Sequence, residues 1–180
     1  VCLVLTGYLD AAEKWFGQAE ELLRTVTAPE RRATLRVHTI PSYRSIIARF
    51  RGDFAAAIAL SQRGLDEVPE GLIRDRGVAL LFLSHAHFHA GNTETAERVL
   101  QECMQCTLAS GHMTAYVNAC HHFAQLRVLQ GRLHEAAAVY ERAILFVKEQ
   151  TVPVYAGTER AGRGDLQREW NQLEAAASEI

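Results

Sequence analysis

The chain has 180 residues, of which 48% are hydrophobic and 22% are charged, values typical of one ordinary soluble domain with a sizeable core. Its 19 basic residues are balanced by 21 acidic ones, so no positive field favours direct contact with nucleic acid. No apolar run approaches the roughly 18 to 20 residues of a membrane span, and the first residues lack the features of a signal peptide. We therefore expect a cytoplasmic protein, and the start at Val1 suggests a segment of a longer chain.

Amphipathic runs alternate with turn-forming residues along the chain. Apolar residues recur with the 3.6-residue period of α-helices, and no stretch alternates as a strand does. Breaks that contain Pro or Gly separate the runs, at 27–32, 68–71, 109–112 and 151–153. In chain order, the sequence predicts a helical stub at 1–6, a last helix from 172, and between them helices near 8–25, 33–50, 53–67, 72–90, 93–109, 113–130, 133–149 and 154–170.

A short motif recurs at the turns within these helix pairs. It begins with a residue suited to the left-handed backbone conformation, and an alanine follows five positions later. The turn residues are Gly7, Gly52, Gly91, Gly131 and Asn171, and the alanines are Ala12, Ala57, Ala96, Ala136 and Ala176. Seven positions before the later four turns stand the small residues Ser45, Ser84, Ala124 and Gly164. Small residues at fixed positions indicate pairs of helices that pack closely.

The turn residues follow one another at intervals of 39 to 45 residues. We predict an all-α fold, in which a single domain over residues 1–180 forms an α-solenoid of tetratricopeptide-like helical hairpins with a period near 40 residues. HEAT repeats of about 40 to 47 residues are the alternative, since tetratricopeptide repeats usually need about 34. The small residue in the first helix and the alanine in the second favour the tetratricopeptide pattern with lengthened helices.

Longer phrases of the sequence also resemble a known family. They include RGDFAAAIALSQRGLDEVPEGL (51–72), LQGRLHEAAAVYERAI (129–144) and EWNQLEAAASEI (169–180). Together they resemble the tetratricopeptide-like sensor region of MalT-like, large ATP-binding LuxR-family transcription regulators. The resemblance implies a bacterial activator with an N-terminal nucleotide-hydrolysing switch, this helical sensor and a C-terminal helix-turn-helix. The chain contains no phosphate-loop motif and no recognisable helix-turn-helix, so ATP and DNA binding are expected in other domains of such a regulator.

The first helices of tetratricopeptide hairpins line a concave groove. Helical geometry places positions thirteen, ten, six, three and two before each turn on the groove face. From these positions we predict a ligand-binding groove lined by Arg49, Phe50, His85, Phe88, His89, Asn118, His121, Gln125 and Leu129. Apolar walls with a few polar groups are typical of a binding surface.

Three histidines stand close together in the stretch SHAHFHAGN (84–92). His85 and His89 are expected on the groove face, whereas His87 is expected against its partner helix. A zinc site would need a third ligand, such as His121 from the next repeat. Recognition in the groove and a purely structural role are the alternatives, and we expect no metal or other cofactor.

Cys103 and Cys106 have the spacing of a zinc or redox motif, and Cys120, His121 and His122 follow. Cys103 takes the position of small packing residues in other repeats, which favours a structural role. Adjacent residues of a helix point apart, so 120–122 is a poor common metal site. We locate no nucleophile with a base and expect no enzyme.

The expected function is therefore ligand sensing and protein interaction within a bacterial transcription regulator. A small-molecule inducer or a partner protein would bind in the groove and shift the population of repeat arrangements. The other domains of the regulator are expected partners, whereas direct nucleic-acid contact and membrane contact are not expected. The alternative is a passive tetratricopeptide scaffold that binds a peptide or a partner protein.

Overall fold

The computed structural model describes residues 6–28, 30–31, 38–149 and 157–179. Regular secondary structure within these ranges is helical, without a strand. The helices are α1 (Leu9–Arg24), α2 (Thr39–Phe50), α3 (Phe54–Asp66), α4 (Ile73–His89), α5 (Thr93–Ala109), α6 (Met113–Leu129), α7 (Leu133–Glu149), α8 (Gly157–Glu169) and α9 (Leu173–Ala177). The predicted helix positions are confirmed there. Of the predicted stub at 1–6 only Thr6 is described, and positions 33–37 and 154–156 of two predicted helices lie outside the described residues.

The chain divides into two compact units, Val1–Val99 and Leu100–Ile180, with the boundary inside α5. In the first unit, α2 packs on α1, α3 and α4, and α3 also packs on α4. In the second unit, α6 packs on α7 and α8, while α8 also packs on α7 and α9. Each unit thus contains tetratricopeptide-like helical hairpins, as predicted, in which the first helices of successive repeats touch each other.

The repeat turns use a left-handed residue to end the first helix of each hairpin. Four turn glycines have φ between 73° and 83°, and Asn171, a residue type that tolerates this region, has φ of 58°. The N–H of the residue after the turn donates to the carbonyl five residues earlier, which closes a Schellman motif. These bonds of 2.8–2.9 Å are Asp53 to Ala48, Asn92 to His87, Arg132 to Arg127 and Gln172 to Gln167.

The small residues of the repeat are buried at helix contacts. The repeat alanines at 12, 57, 96 and 136 are at most 1% exposed, and the small residues at 45, 84 and 124 are at most 3% exposed. Ala48, Ala57 and Ala86 form one apolar cluster that joins α2, α3 and α4. Close packing at these positions is confirmed, while Gly164 and Ala176 in the last repeat are partly buried.

Gly64 of α3 lies at a particularly close contact with α2. A Cβ atom at this position would stand 2.3 Å from Ser42 Oγ and 3.2 Å from the backbone nitrogen of Ser42. A side chain at this position therefore fits only if the Ser42 hydroxyl turns away or α2 moves slightly, since backbone atoms of α2 also lie within 3.4 Å.

We expect Gly64→Ala to lower the free energy of unfolding by about 1–3 kcal/mol, because the added methyl group collides with the Ser42 side chain and crowds the backbone of α2. Urea unfolding followed by circular dichroism measures this change. Gly17→Ala is the matched control, since nothing lies within 4 Å of the Cβ that it adds to α1. The control should stabilise by up to about 1 kcal/mol through helix propensity. Equal midpoints for both variants would contradict the close contact.

Candidate functional site

The predicted groove residues of the first unit meet at the C-terminal ends of α2 and α4. Arg49 Nη1 lies 3.1 Å from His89 Nε2, and the Arg49 guanidinium covers the ring of Phe50 at 4.8 Å. Phe88 contacts His89 edge to face, with 5.4 Å between ring centres. These four residues are named the Arg49 cluster. His85 lies one turn before His89 on α4 and is half-buried.

The Arg49 cluster carries one positive charge beside a neutral imidazole. Arg49 can only donate, so His89 Nε2 accepts the hydrogen bond and Nδ1 carries the proton. Burial lowers the pKa of His89, and the Arg49 charge lowers it further, so the ring is neutral at pH 7. Phe50 is 55% exposed. The cluster therefore presents a cation and an aromatic face to its surroundings.

The second unit contains a cavity of about 260 Å³ between α6 and α8. Positions 114, 117, 118 and 121 of its wall follow the spacing of one helix face. This α6–α8 cavity is lined by Thr114, Val117, Asn118, His121 and His122 from α6 and by Thr158 and Glu159 from α8. Asn118 and His121 are the predicted groove residues that the cavity brings together.

His121 forms a polar part of this wall. Its Nδ1 is buried and has no hydrogen-bond partner among the residues that the structure describes. Burial lowers the pKa of His121, which keeps the ring neutral at pH 7. The ring lies 5.4 Å from that of His122 and 5.9 Å from that of Tyr140. His121 therefore contributes a neutral ring to the wall, while its Nδ1 lies below the accessible surface of the cavity.

The other predicted groove residues of α6 lie away from the cavity. Gln125 Oε1 accepts a hydrogen bond of 3.0 Å from His122 Nδ1, so this amide holds the His122 ring rather than lining the wall. Leu129, at the end of the helix, is 69% exposed. The structure thus brings together some of the predicted residues within each unit.

Glu159 is the charged residue of the cavity wall that was not predicted from the sequence, and Thr114, Val117 and Thr158 were not predicted either. The Glu159 side chain is 0% exposed, and within the described parts of the chain no other residue donates a hydrogen bond to either carboxylate oxygen. Burial raises the pKa of Glu159 to about 7, and its own backbone N–H offsets only part of that rise. An acidic residue in the first turn usually interacts with the helix dipole in water, so its type gave no hint of burial. Its neighbour Thr158, thirteen positions before Asn171, satisfies the groove-face rule and could have drawn attention to this turn.

Tyr140 of α7 helps to place α8 beside this cavity. A Cβ atom on Gly162 would stand 2.4 Å from Tyr140 Cζ, so the phenol ring packs directly on the backbone of α8. Burial raises the pKa of Tyr140 to about 12, with the Glu159 charge as the second cause. Tyr140 is therefore a neutral phenol at physiological pH, and it leaves the Glu159 charge uncompensated.

The stability of the wild-type chain should include a contribution from Glu159 that is lost as the pH rises from about 4.5 to 7. The folded chain holds this proton up to a pKa of about 7 instead of the ordinary 4.5, so deprotonation favours the unfolded chain. After allowance for solvent screening, Glu159→Gln should raise the free energy of unfolding by about 1–2 kcal/mol at pH 8 and change it little at pH 4.

Urea unfolding at both pH values measures this difference. Glu169→Gln is the matched control, because Glu169 is exposed on the same helix and should give similar small effects at both pH values. An identical effect of Glu159→Gln at pH 4 and pH 8 would contradict a buried, proton-binding carboxyl group.

The described cysteines occupy the second unit. Cys103 and Cys120 are fully buried, whereas Cys106 is partly buried. Burial raises the pKa of the Cys103 thiol far above its usual range and that of Cys120 to about 11, so both are protonated at neutral pH. Among the described residues, no group of three or more His, Cys, Asp or Glu side chains is arranged to hold a metal ion.

We expect Cys103 and Cys120 to react with iodoacetamide at pH 8 more than about 100-fold slower in the folded chain than in urea, because thiolate is the reactive form. Peptide mass spectrometry after timed labelling distinguishes the cysteines, with the partly buried Cys106 as the internal comparison. Rapid labelling of folded Cys103 would argue against its packing role.

The family model for the MalT-like TPR region, where TPR denotes the tetratricopeptide repeat, matches residues 38–179. The chain belongs to this family. MalT-like TPR regions are typically non-catalytic repeat regions, and no catalytic domain is evident in the part of the chain that the structure describes. No described helix is both long and apolar enough to cross a membrane.

Two crystal structures illustrate the fold of this MalT-like TPR region. BtubC (BKLC) from P. vanneervenii is 13% identical, with a TM-score of 0.75 over 95% of this chain and 68% of that one. A kinesin light chain-like protein of Podospora anserina, with nearly identical TPR-like repeats, is 12% identical, with a TM-score of 0.73 over 98% of this chain and 85% of that one. At these identities the likeness shows the fold alone. No curated protein matches the chain.

Proposed function

We propose that this chain is the ligand-sensing and protein-interaction module of a bacterial transcription regulator of the MalT-like, LuxR-family kind. Membership of the MalT-like TPR family supports a role in protein interaction. The observation that carries the sensing role is the α6–α8 cavity, an open pocket of about 260 Å³ whose wall includes Asn118 and His121. A small-molecule inducer bound there acts on the other domains of the same regulator, which supply ATP and DNA binding.

The position of the cavity between two first helices gives the proposed mechanism. α6 and α8 belong to successive repeats and pack on each other. A ligand that bridges them favours one arrangement of the two repeats, and it shifts the population only to the extent that it binds this arrangement better. The neighbouring domains then respond to the arrangement of the helices rather than to the ligand itself.

The Arg49 cluster is the part of the predicted groove that suits contact with a protein. Arginine and aromatic side chains are enriched at the centres of interfaces, and Phe50 is already exposed beside Arg49. The alternative function, a passive scaffold for a peptide or a partner protein, is supported by this cluster and by the exposed Leu129. It requires no ligand in the α6–α8 cavity.

Transcription in cells tests the proposal. Deletion of the gene should change a limited set of transcripts, and the wild-type gene should restore them. A double variant, Asn118→Ala with His121→Ala, should fail to restore them at an equal protein level because the cavity loses two polar groups that contact the inducer. RNA sequencing and immunoblotting provide the two measurements.

The control is Gln101→Ala with Gln105→Ala, which removes exposed polar groups of α5 outside the cavity. It should restore transcription fully. Full restoration by the Asn118 and His121 variant would reject the cavity as the sensing site. Transcripts that are unchanged by the deletion, together with loss of a defined protein complex, would favour the scaffold.

A further inference from the structure

Arg49 is a half-buried cation without an acidic partner among the described residues. Arg44, Arg51 and Arg63 of the same unit are each paired with a carboxylate, whereas Arg49 is hydrogen-bonded to the neutral ring of His89. Burial lowers the pKa of Arg49, and no nearby carboxylate opposes that effect. The guanidinium nevertheless keeps its charge at pH 7, because arginine is not deprotonated in proteins. The Arg49 cluster therefore has a positive charge that the described residues do not neutralise.

The repeat pattern explains why Arg49 has no carboxylate partner on its own helix. Arg49 and Arg168 both stand three residues before the turn residue of their hairpins. Asp165, one helical turn before Arg168, lies 3.3 Å from its Nη2 atom. The corresponding residue before Arg49 is Ile46. The repeat of α2 therefore has the cation but lacks the acid, and another molecule can supply the missing negative charge.

The unused donors of Arg49 form one edge of the guanidinium. Nη1 contacts His89 Nε2, and Nε and Nη2 bond to no described residue. These two nitrogens are also not among the buried polar atoms that lack a partner, so they reach the surface of the molecule. The Phe50 ring lies 4.8 Å from the guanidinium carbon and shields one side of the cation from water. Nε and Nη2 therefore present a parallel pair of accessible N–H groups.

The same edge of arginine binds carboxylates elsewhere in this chain. Arg132 donates from Nε and Nη2 to the two oxygens of Glu135, at 2.7 and 2.6 Å. Arg44 uses Nε and Nη2 to bind Glu13. Pairs of this kind are both charge-assisted and geometrically specific.

We propose that the Nε–Nη2 edge of Arg49 binds the carboxylate of a Glu or Asp side chain in an acidic segment of a partner protein. His89 acts as a positioning residue, because its hydrogen bond to Nη1 holds the guanidinium with the other edge outward. This inference rests on the proposed protein-interaction role of the chain and specifies the chemistry of the partner.

The openness of the site favours a protein segment over a free small acid. Phe50 is 55% exposed and His89 is also exposed, so a small carboxylate would have protein on one side only. An exposed ion pair alone stabilises little. Apolar side chains next to the acid in a partner protein would cover Phe50 and add buried area. A phosphate group suits the site less well, since it brings nearly two negative charges to a single cation.

Nuclear magnetic resonance of the isotope-labelled full chain at pH 7 tests the proposal. The probe is the peptide acetyl-Gly-Leu-Glu-Leu-Gly-amide, and its neutral counterpart has Gln in place of Glu. Backbone amide signals of α2 and α4 and the Nε–H signal of Arg49 report binding. We expect saturable binding of the Glu peptide and at least about threefold weaker binding of the Gln peptide, which lacks the charge.

Two further probes distinguish the sources of the anion. Acetyl-glutamate-amide, which lacks the flanking leucines, should bind at least about threefold more weakly than the Glu peptide, because it leaves Phe50 uncovered. Equal binding of the two would overturn the assignment to a protein segment. A peptide with phosphoserine in place of Glu should bind no more tightly than the Glu peptide, and tighter binding would overturn the assignment to a carboxylate.

Variants of the chain test the role of Arg49 itself. Arg49→Gln should weaken binding of the Glu peptide at least about threefold and remove the preference for Glu over Gln. Arg49→Lys keeps the charge but not the paired donors, so it should also lose most of this preference. Arg74→Gln is the matched control, because it removes an exposed arginine at the opposite end of α4 from His89, and it should not alter binding.

Circular dichroism checks that each variant is folded. The proposal is overturned by equal binding of the Glu and Gln peptides, by undiminished binding to Arg49→Gln, or by the absence of saturable binding. An unchanged preference in Arg49→Lys would contradict the two-donor geometry. The transcript measurements with the Asn118 and His121 variant do not involve Arg49, so they test the proposed function separately.

Discussion

The close approach of neighbouring helices at small side chains is the constraint on which the described structure depends. Ala57 and Ala136 lie near the starts of the second helices of their hairpins and are fully buried. Ser45 and Ala124 are the buried small residues of the first helices. Larger residues at these positions would hold the helix pairs apart, because interiors at crystal-like density leave no spare volume. Gly64 shows the limit, since even a methyl group there would collide with Ser42. Each repeat can bury its apolar face only by this stacking.

Close stacking also decides where charge can be tolerated. In the first unit, Glu20 is paired with both Arg44 and Arg63, and Arg44 also binds Glu13, so these carboxylates have cationic partners between the helices. In the second unit, Glu159 is more deeply buried and has no such partner among the described residues. A buried group that lacks its partner is a cost to stability, and such costs concentrate at functional sites. This contrast is the reason that the proposed ligand site is the α6–α8 cavity rather than the ion-paired first unit.

The relative positions of some predicted groove residues follow from features of a single helix or turn. Arg49, Phe50 and His89 lie at helix ends that are set by the left-handed turns, and the residues of this cluster are found in contact. Asn118 and His121 share one helix face, which the helical period alone predicts. Whether all nine residues line one continuous groove stays a prediction. The burial of Glu159 was not predicted, because it depends on residues of neighbouring helices, and the sequence pattern of α8 alone does not contain that information.

The sequence by itself determined the helices, their ends and the hairpin repeats of this protein. The reason is that the helical period, the left-handed turn residues and the small residues are local sequence features, and they recur in every repeat. Only the tertiary structure decided that Tyr140 packs on Gly162, that α6 and α8 line an open cavity, and that Glu159 is buried beside it without a hydrogen bond from another described residue. Desolvation depends on atoms from several helices at once, so the sequence around a carboxyl group in a first helical turn is the same whether that group faces water or is buried.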